Sequence, residues 1–496
     1  MKKVLSIVLA LAMLLSFTSL AAAEEVVKPE KITIMIDGTV LTSLNGRDAI
    51  EARWEELTGI DLVIIQPDHT GYTDQLQQQI VSEEWPDVMI LPAAYYSSFA
   101  AEGMLWDMTD AWENSETKNS GRFTGDQVFD GLKLDGRLYG FTPTRGNGCL
   151  TYIKKAWLDA VGLEAPTTYD EYIAMLEAFA TQDPNGNGTA DTFGVSAAGF
   201  IGAEHPYVNY LPEFYQDAYP SFTKDDSGVW YDGFVLPAMQ GALERMADAY
   251  KKGLIDPTTL TNGTSDCRNK FYDDTFGAFT YWAGVWAVNL KTNLEANGRD
   301  GELVAIPPLA EVGAYFDRVP PVWAISAKCE NPEGVFKYFI DTFLDGGDMQ
   351  MLWTYGAENT HWSTAAATIL DVEYKEGDAH FCENLEKAGT LYTKNHVDPM
   401  LALATFREDY VNPMAELLLP EALASAEIFN NNSKLAIIVP TTEVMGMYNG
   451  DLTTLKNELV AKVIMGEMSY ADAMAKFESD GGANWSKQIV DSLNAE

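Results

Sequence analysis

Ile32-Thr33-Ile34-Met35-Ile36, the residues Ile50, Trp54 and Leu57, then Ile60-Asp61-Leu62-Val63-Ile64-Ile65, Leu76 and Ile80, and last Asp87-Val88-Met89-Ile90-Leu91-Pro92 together form the stretch that decides the fold. Ile32, Ile34 and Ile36 recur every second residue, which sets them on one face of a strand. Ile50, Trp54 and Leu57 recur at helical spacing up to Gly59, a residue suited to the left-handed turn that closes a helix. A second strand, Ile60 to Ile65, follows directly. Leu76 and Ile80 mark another helix, and Asp87 to Leu91 reads as a third strand that ends at the Pro92 turn. Strand alternates with helix, and this alternation favours an α/β fold with a parallel sheet.

Downstream the pattern begins again. Asp135-Gly136 within Leu134-Asp135-Gly136-Arg137-Leu138-Tyr139-Gly140 is a hairpin signal, and a helix through Trp157 and Leu158 stops at Gly162. Thr168 with Glu171 is a capping box, after which Ile173, Leu176, Phe179 and Ala180 share one helical face. Residues 239–256 and 332–340 read as helices, and the last hundred residues read as mostly helical. The 496 residues, 47% of them hydrophobic, exceed the roughly 250 to 300 at which a single core stops growing, so two lobes are expected. Neither a short repeat nor a low-complexity linker divides them. Two lobes without a linker imply a chain that crosses between them several times and makes a hinge of the crossings.

Met1-Lys2-Lys3, the apolar run Val4 to Leu15 and the small residues Ala21-Ala22-Ala23 form a secretory signal pattern over residues 1–23. The run is shorter than the roughly twenty apolar residues of a membrane anchor. An exported protein, periplasmic or associated with the cell surface, is the expectation. No cysteine precedes Cys149, so the lipid-modified cysteine that tethers many exported binding proteins is not at its usual place. Cys149, Cys267, Cys329 and Cys382 lie far apart without a C-x-x-C pair, and neither a zinc knuckle nor a redox motif follows. Thirty-three basic against seventy-three acidic side chains give a net charge of −40, which repels nucleic acid and anionic lipid and keeps the surface solvated.

Asp183-Pro184-Asn185-Gly186-Asn187-Gly188-Thr189-Ala190-Asp191 reads as a calcium loop. Asp183, Asn185 and Asn187 alternate side-chain oxygens, Gly188 permits the sharp turn, Thr189 offers its carbonyl, and Asp191 closes the ring directly or through water. The twelfth position, where an EF-hand places a bidentate Glu, is Gly194, so a modest affinity and a structural role are expected. The competing reading is a Gly/Asn-rich turn that needs no metal.

Several phrases together resemble the family 1 extracellular solute-binding proteins of ABC sugar importers. They are Leu134 to Gly140, Ile153-Lys154-Lys155-Ala156-Trp157-Leu158-Asp159-Ala160-Val161-Gly162-Leu163, Pro166 to Tyr172, Gly253-Leu254-Ile255-Asp256-Pro257, Asn331-Pro332-Glu333, and Tyr355-Gly356-Ala357-Glu358 with His361-Trp362. With the Asp183 loop, the chain is similar to the alginate-oligosaccharide-binding type. The resemblance implies a periplasmic-binding-protein-like pair of α/β lobes around a central cleft with a multi-crossing hinge. It also implies a carbohydrate ligand, ABC permease subunits as partners, and no catalysis. The lobes are expected at 30–142 plus about 275–345, and at 143–274 plus about 346–496, in a monomer.

Tyr281-Trp282-Ala283-Gly284-Val285-Trp286 is the first candidate ligand wall, since sugar C–H faces stack on indole rings. Spacing alone favours a core role for such a run; the resemblance favours the cleft for Trp282 or Trp286. Trp323, Trp353, Trp362, Tyr95 and Tyr96 are further candidates, the tyrosines because they follow the end of a strand, where open α/β sheets hold ligands. Arg145 sits where a crossing is expected and offers a forked donor to a hydroxyl or carboxylate, or forms a surface ion pair. No H-E-x-x-H and no G-x-S-x-G occurs, and the five histidines are scattered. A receptor for a peptide or another solute, and a secreted carbohydrate-active enzyme using two of the many carboxylates, are the alternative readings. The acidic balance disfavours strongly anionic ligands.

Overall fold

A computed structural model describes residues 26–36, 46–68, 71–123, 132–142, 147–201, 211–317, 321–369, 372–382, 420–435 and 437–495. In chain order the first unit opens with β1 (Lys31–Met35), α1 (Arg47–Thr58), β2 (Asp61–Ile65), α2 (Tyr72–Val81), β3 (Val88–Leu91) and α3 (Ala93–Ala101). The second unit holds β4 (Cys149–Lys154), α4 (Lys155–Val161), α5 (Tyr169–Thr181), β5 (Phe193–Val195), α6 (Pro212–Tyr215), α7 (Pro237–Lys251), α8 (Thr264–Tyr272), β6 (Phe276–Trp282), α9 (Val285–Ala296) and β7 (Leu303–Ala305). The chain returns to the first unit for β8 (Val322–Ile325) and α10 (Asp348–Tyr355). It ends in the second with α11 (Pro420–Asn431), α12 (Glu443–Ile464) and α13 (Gly482–Leu493).

The first sheet runs β8-β3-β1-β2, with β1 parallel to both β2 and β3 and β8 antiparallel to β3. Ile32 and Ile34 are fully buried, as their alternation requires, and β3 is buried along its whole length as an interior strand should be. Helix α1 buries Ile50 and Trp54 and closes at Gly59, whose φ is 66° and whose N–H donates to the Glu55 carbonyl. The hairpin at Asp135-Gly136 forms with both residues at positive φ, the turn this pair favours. The capping box at Thr168 and Glu171 starts α5.

The second sheet runs β5-β6-β4-β7. Cys149 pairs with Trp282 and Ile153 with Ala278 in the antiparallel β4–β6 ladder. Two separate clusters of buried apolar side chains sit on the two sheets. Their membership moves the expected boundaries. Residues 276–305 pair into the second sheet rather than the first, while Met349, Leu352, Trp353 and Ala357 pack in the first core rather than the second. The physical reason is that β6 is the interior partner of β4, a contact between residues far apart in sequence. The return to the first unit therefore comes between Phe316 and Val322.

Among the described residues three stretches link the cores, while the passage from α10 in the first unit to α11 in the second includes residues outside the described ones. The first spans Phe141 to Cys149, and Phe141 exchanges backbone hydrogen bonds with Trp323 at 2.8 and 2.7 Å. The second runs from Phe316 to Val322. In the third, Ile438 belongs to the first core while its neighbour Val439 packs on the second. The last two run side by side, for Tyr315 and Phe316 pair with Ser433 and Lys434. The signal pattern at 1–23 lies outside the described residues. Among the described residues, no helix is long and apolar enough to cross a membrane. All four cysteines are free, Cys149 and Cys267 buried and Cys329 and Cys382 half-buried.

Candidate functional site

In an open α/β sheet, ligands gather beyond the carboxyl ends of the parallel strands. The end of β3 is Leu91, which pairs with Val322 directly after the second crossing. The end of β6 is Trp282, which pairs with Cys149 directly after the first. Both sheets thus turn the same kind of edge toward the crossings. Helix α3 starts at the first edge, and its Ser97 hydroxyl accepts the Thr441 N–H at 2.7 Å from the third crossing. Leu91, Ser97 and Trp282 thus lie next to the crossings.

Trp282 and Trp286 are half-buried, packed on the second core without being engulfed by it. Trp286 meets Tyr281 edge-on at 4.9 Å, and the Arg268 guanidinium lies over its ring at 5.1 Å. Tyr95 is half-buried in the first turn of α3, its hydroxyl accepting from Gln77 at 2.9 Å. Trp362 is half-buried, with its indole N–H donating to the Gly356 carbonyl at 2.9 Å. Beside it the fully buried His361 is wedged between Gly46 and Gly356.

Three other candidates are core. Tyr96 is fully buried and donates to the Leu132 carbonyl at 2.8 Å. Trp323 and Trp353 are buried to within 1% and join Trp54, Phe339 and Phe343 in one aromatic cluster with ring centroids 5.0 to 5.8 Å apart. Their rings have no face left for a solute. Arg145 lies outside the described residues.

The Trp282–Trp286 turn reverses at Gly284, at φ 75° and ψ −126°, a conformation that glycine adopts readily and other residues rarely do. The N–H of Ala283 donates to the Gly148 carbonyl at 2.9 Å, and the Asn147 amide donates to the Ala283 carbonyl at 3.3 Å. The first crossing thereby holds the turn. A cavity of about 650 Å3 between α9, α11 and β7 is lined in part by Tyr152 and Ser425. Asn147, Tyr152 and Ser425 were not legible as site residues in the sequence. Only the Gly146-Asn147-Gly148 run carried a signal, that of a tight turn.

Asp183 takes φ 51°, and Gly186 and Gly188 take φ 67° and 88°, so the loop coils tightly between α5 and β5. The two carboxylate oxygens of Asp183 accept the N–H groups of Asn187 and Gly188 at 3.1 and 2.8 Å. The Asn187 amide donates to Asp191 at 3.0 Å, and its oxygen accepts the Thr189 N–H at 2.8 Å. Asp183, Asn187 and Asp191 thus converge, with Asn185 bonded to the same Asn187 N–H at 3.2 Å. The oxygen-only donor set suits a hard cation. Among the described residues, no three His, Cys, Asp or Glu side chains gather at one point, so amide and carbonyl oxygens would have to complete such a shell.

The second core also holds a carboxyl, Glu213 on α6, which accepts from the Thr151 hydroxyl. Burial pushes its pKa up to about 7.

Comparison with known proteins places this architecture. The family described as bacterial extracellular solute-binding protein matches residues 45–344. The polygalacturonan/rhamnogalacturonan-binding protein YtcQ of Bacillus subtilis (strain 168) is 22% identical over 455 residues, 88% of this chain and 85% of that protein. Lipoprotein LipO of the same organism is 26% identical over 207 residues, 41% of this chain and only 40% of LipO. The crystal structure of the alginate-binding protein AlgQ2 without calcium ion superposes with a TM-score of 0.63 at 19% identity, covering 94% of this chain and 98% of that one. The last of these shows the fold. The family match runs from the start of α1 to beyond the return to the first unit, more than half of the chain, and on that ground the chain belongs to the bacterial extracellular solute-binding proteins.

Proposed function

We propose that the chain is an extracytoplasmic receptor that binds an oligosaccharide in the cleft between its two units and presents it, unaltered, to the permease subunits of an ABC importer. The Trp282–Trp286 turn carries this reading. Its support is a pair of half-buried indoles, Trp282 at the end of the second sheet's central strand and Trp286 just beyond it, because sugar C–H faces stack on such rings while neighbouring polar groups take the hydroxyls. Tyr95 offers a ring from the opposite unit. The crossings form the hinge about which the units close on the ligand. The names of YtcQ and AlgQ2, binders of polygalacturonan, rhamnogalacturonan and alginate, support the ligand class. A family of binding proteins supports transport without chemical change.

Calcium at residues 183–191 is the second part of the proposal. Asp183, Asn185, Asn187 and Asp191 would hold it through side-chain oxygens and Thr189 through its carbonyl, and the ion would supply charge that ties the end of α5 to β5. The loop lies outside the cleft, so its role is structural.

A thermal-shift panel of neutral and acidic oligosaccharides and of oligopeptides tests the reading, because a ligand that binds only the folded state raises Tm. The expected result is a rise with one class of sugar. A rise confined to peptides would replace the carbohydrate reading.

A further inference from the structure

The turn that carries the proposed ligand wall is held from behind by a helix that reaches it from far along the chain. Ser425, on α11, is 1% exposed, and its Oγ accepts the Gly284 N–H at 3.1 Å. The same Oγ lies 2.6 Å from the hydroxyl of Tyr152, on β4. The Tyr152 hydroxyl in turn lies 2.8 Å from the Trp282 carbonyl.

Proton counting fixes the direction of this chain. A backbone carbonyl only accepts, so the single Tyr152 proton goes to the Trp282 oxygen. The Ser425 proton must then go to Tyr152, which leaves the Ser425 oxygen to accept from Gly284 N–H. Each hydroxyl donates once and accepts once, and both ends of the relay are backbone groups of one three-residue turn. Burial pushes the Tyr152 pKa upward and keeps its proton in place at neutral pH. With the two bonds from the first crossing, the carbonyl of Trp282, both polar groups of Ala283 and the N–H of Gly284 are all engaged.

We propose that Ser425 and Tyr152 are positioning residues for ligand binding: their hydroxyl relay fixes the Trp282–Gly284 backbone and thereby the angle at which the Trp282 and Trp286 rings meet a solute. Neither residue touches the ligand in this scheme. The inference rests on the reading of that turn as the ligand wall.

The test compares Ser425→Ala, Ser425→Thr, Tyr152→Phe and Trp286→Ala with wild type in the full chain. One readout needs no ligand, namely hydrogen exchange of the segment containing Gly284. The other is affinity for fructo-oligosaccharides and galacturonate oligomers, the neutral and acidic probes. Ser425→Ala is expected to speed Gly284 exchange at least tenfold and weaken binding about tenfold, while its Tm stays within a few degrees of wild type. Ser425→Thr keeps the hydroxyl and should retain both properties. Combining Ser425→Ala with Tyr152→Phe should cost little more affinity than either alone, since one relay is lost once. Unchanged exchange in Ser425→Ala, or faster exchange with unchanged affinity, would overturn the positioning role. If Trp286→Ala also left affinity unchanged, the wall reading itself would fall and take this inference with it.

Discussion

Trp286 and Trp353 are the same amino acid in two different surroundings, one half-buried and one fully buried. Trp353 touches Trp54, Phe339 and Phe343 and has no exposed surface, so Trp353→Ala should cost about 3 to 5 kcal/mol of stability by opening a cavity. Denaturant unfolding measures this, and affinity of the remaining folded protein should not change. Sequence could not separate the two tryptophans, because an aromatic in a mixed run reads alike whether its far face meets solvent or Phe343. Glu213 gives a second test at this scale. Its folded pKa of about 7 lies above the ordinary 4.5, so its contribution to stability is complete below about pH 4.5 and is lost as pH rises through 7. Among the described residues, the groups around it offer no compensating charge. Tyr172 of α5 and Tyr315 feel its charge, Thr151 donates to it, Thr280 bonds Thr151, and Arg245 of α7 is spent on the carbonyls of Phe214 and Tyr215. Glu213→Gln should therefore remove a pH-dependent loss on the order of 2 to 3 kcal/mol between pH 5 and 8. Melting curves at those two pH values would show a smaller Tm difference in the variant than in wild type; equal differences would contradict the assignment.

Elements with a strong local signal were legible. The alternating isoleucines of β1, the Gly59 close of α1 and the Thr168–Glu171 box of α5 each rest on chemistry contained within a few residues, and each forms as its pattern requires. The loop at 183–191 is of the same local kind, and its coil forms around Asp183 as the spacing implies. What its sequence leaves open is the ion. If calcium binds the folded loop at a hundred times its Kd, mass action adds about 2.7 kcal/mol of stability. Chelation should then lower Tm by several degrees, and Asp183→Ala should melt at the chelated value with no further response to chelator. A wild-type Tm indifferent to chelator would leave the loop as a turn held by its own amides.

Across the whole molecule, the sequence showed that there are two units and that no linker joins them, but not where the chain returns. The strand order β5-β6-β4-β7 depends on pairings between residues far apart in sequence, such as Cys149 with Trp282, and no local periodicity reports it. The same long-range packing holds the crossings together. A side chain at Gly148 would sit 2.5 Å from the Phe316 carbonyl of the second crossing and collide with Phe429. The carbonyl belongs to the backbone and cannot move aside cheaply, so Gly148→Ala should destabilise by about 1 to 3 kcal/mol, read as a lower denaturant midpoint. The acidic balance of −40 repels strongly anionic solutes, so within the proposed class of ligand it favours weakly charged oligosaccharides.

Calorimetric titration of wild type and Trp286→Ala with the oligosaccharide that raises Tm most, followed by recovery of that sugar, tests the proposed capture of a sugar without chemical change. The expected result is one saturable site per chain, a loss of about 1 to 3 kcal/mol in the variant, and sugar recovered intact. Equal affinity in the two proteins, or sugar recovered cleaved, would overturn the proposed receptor.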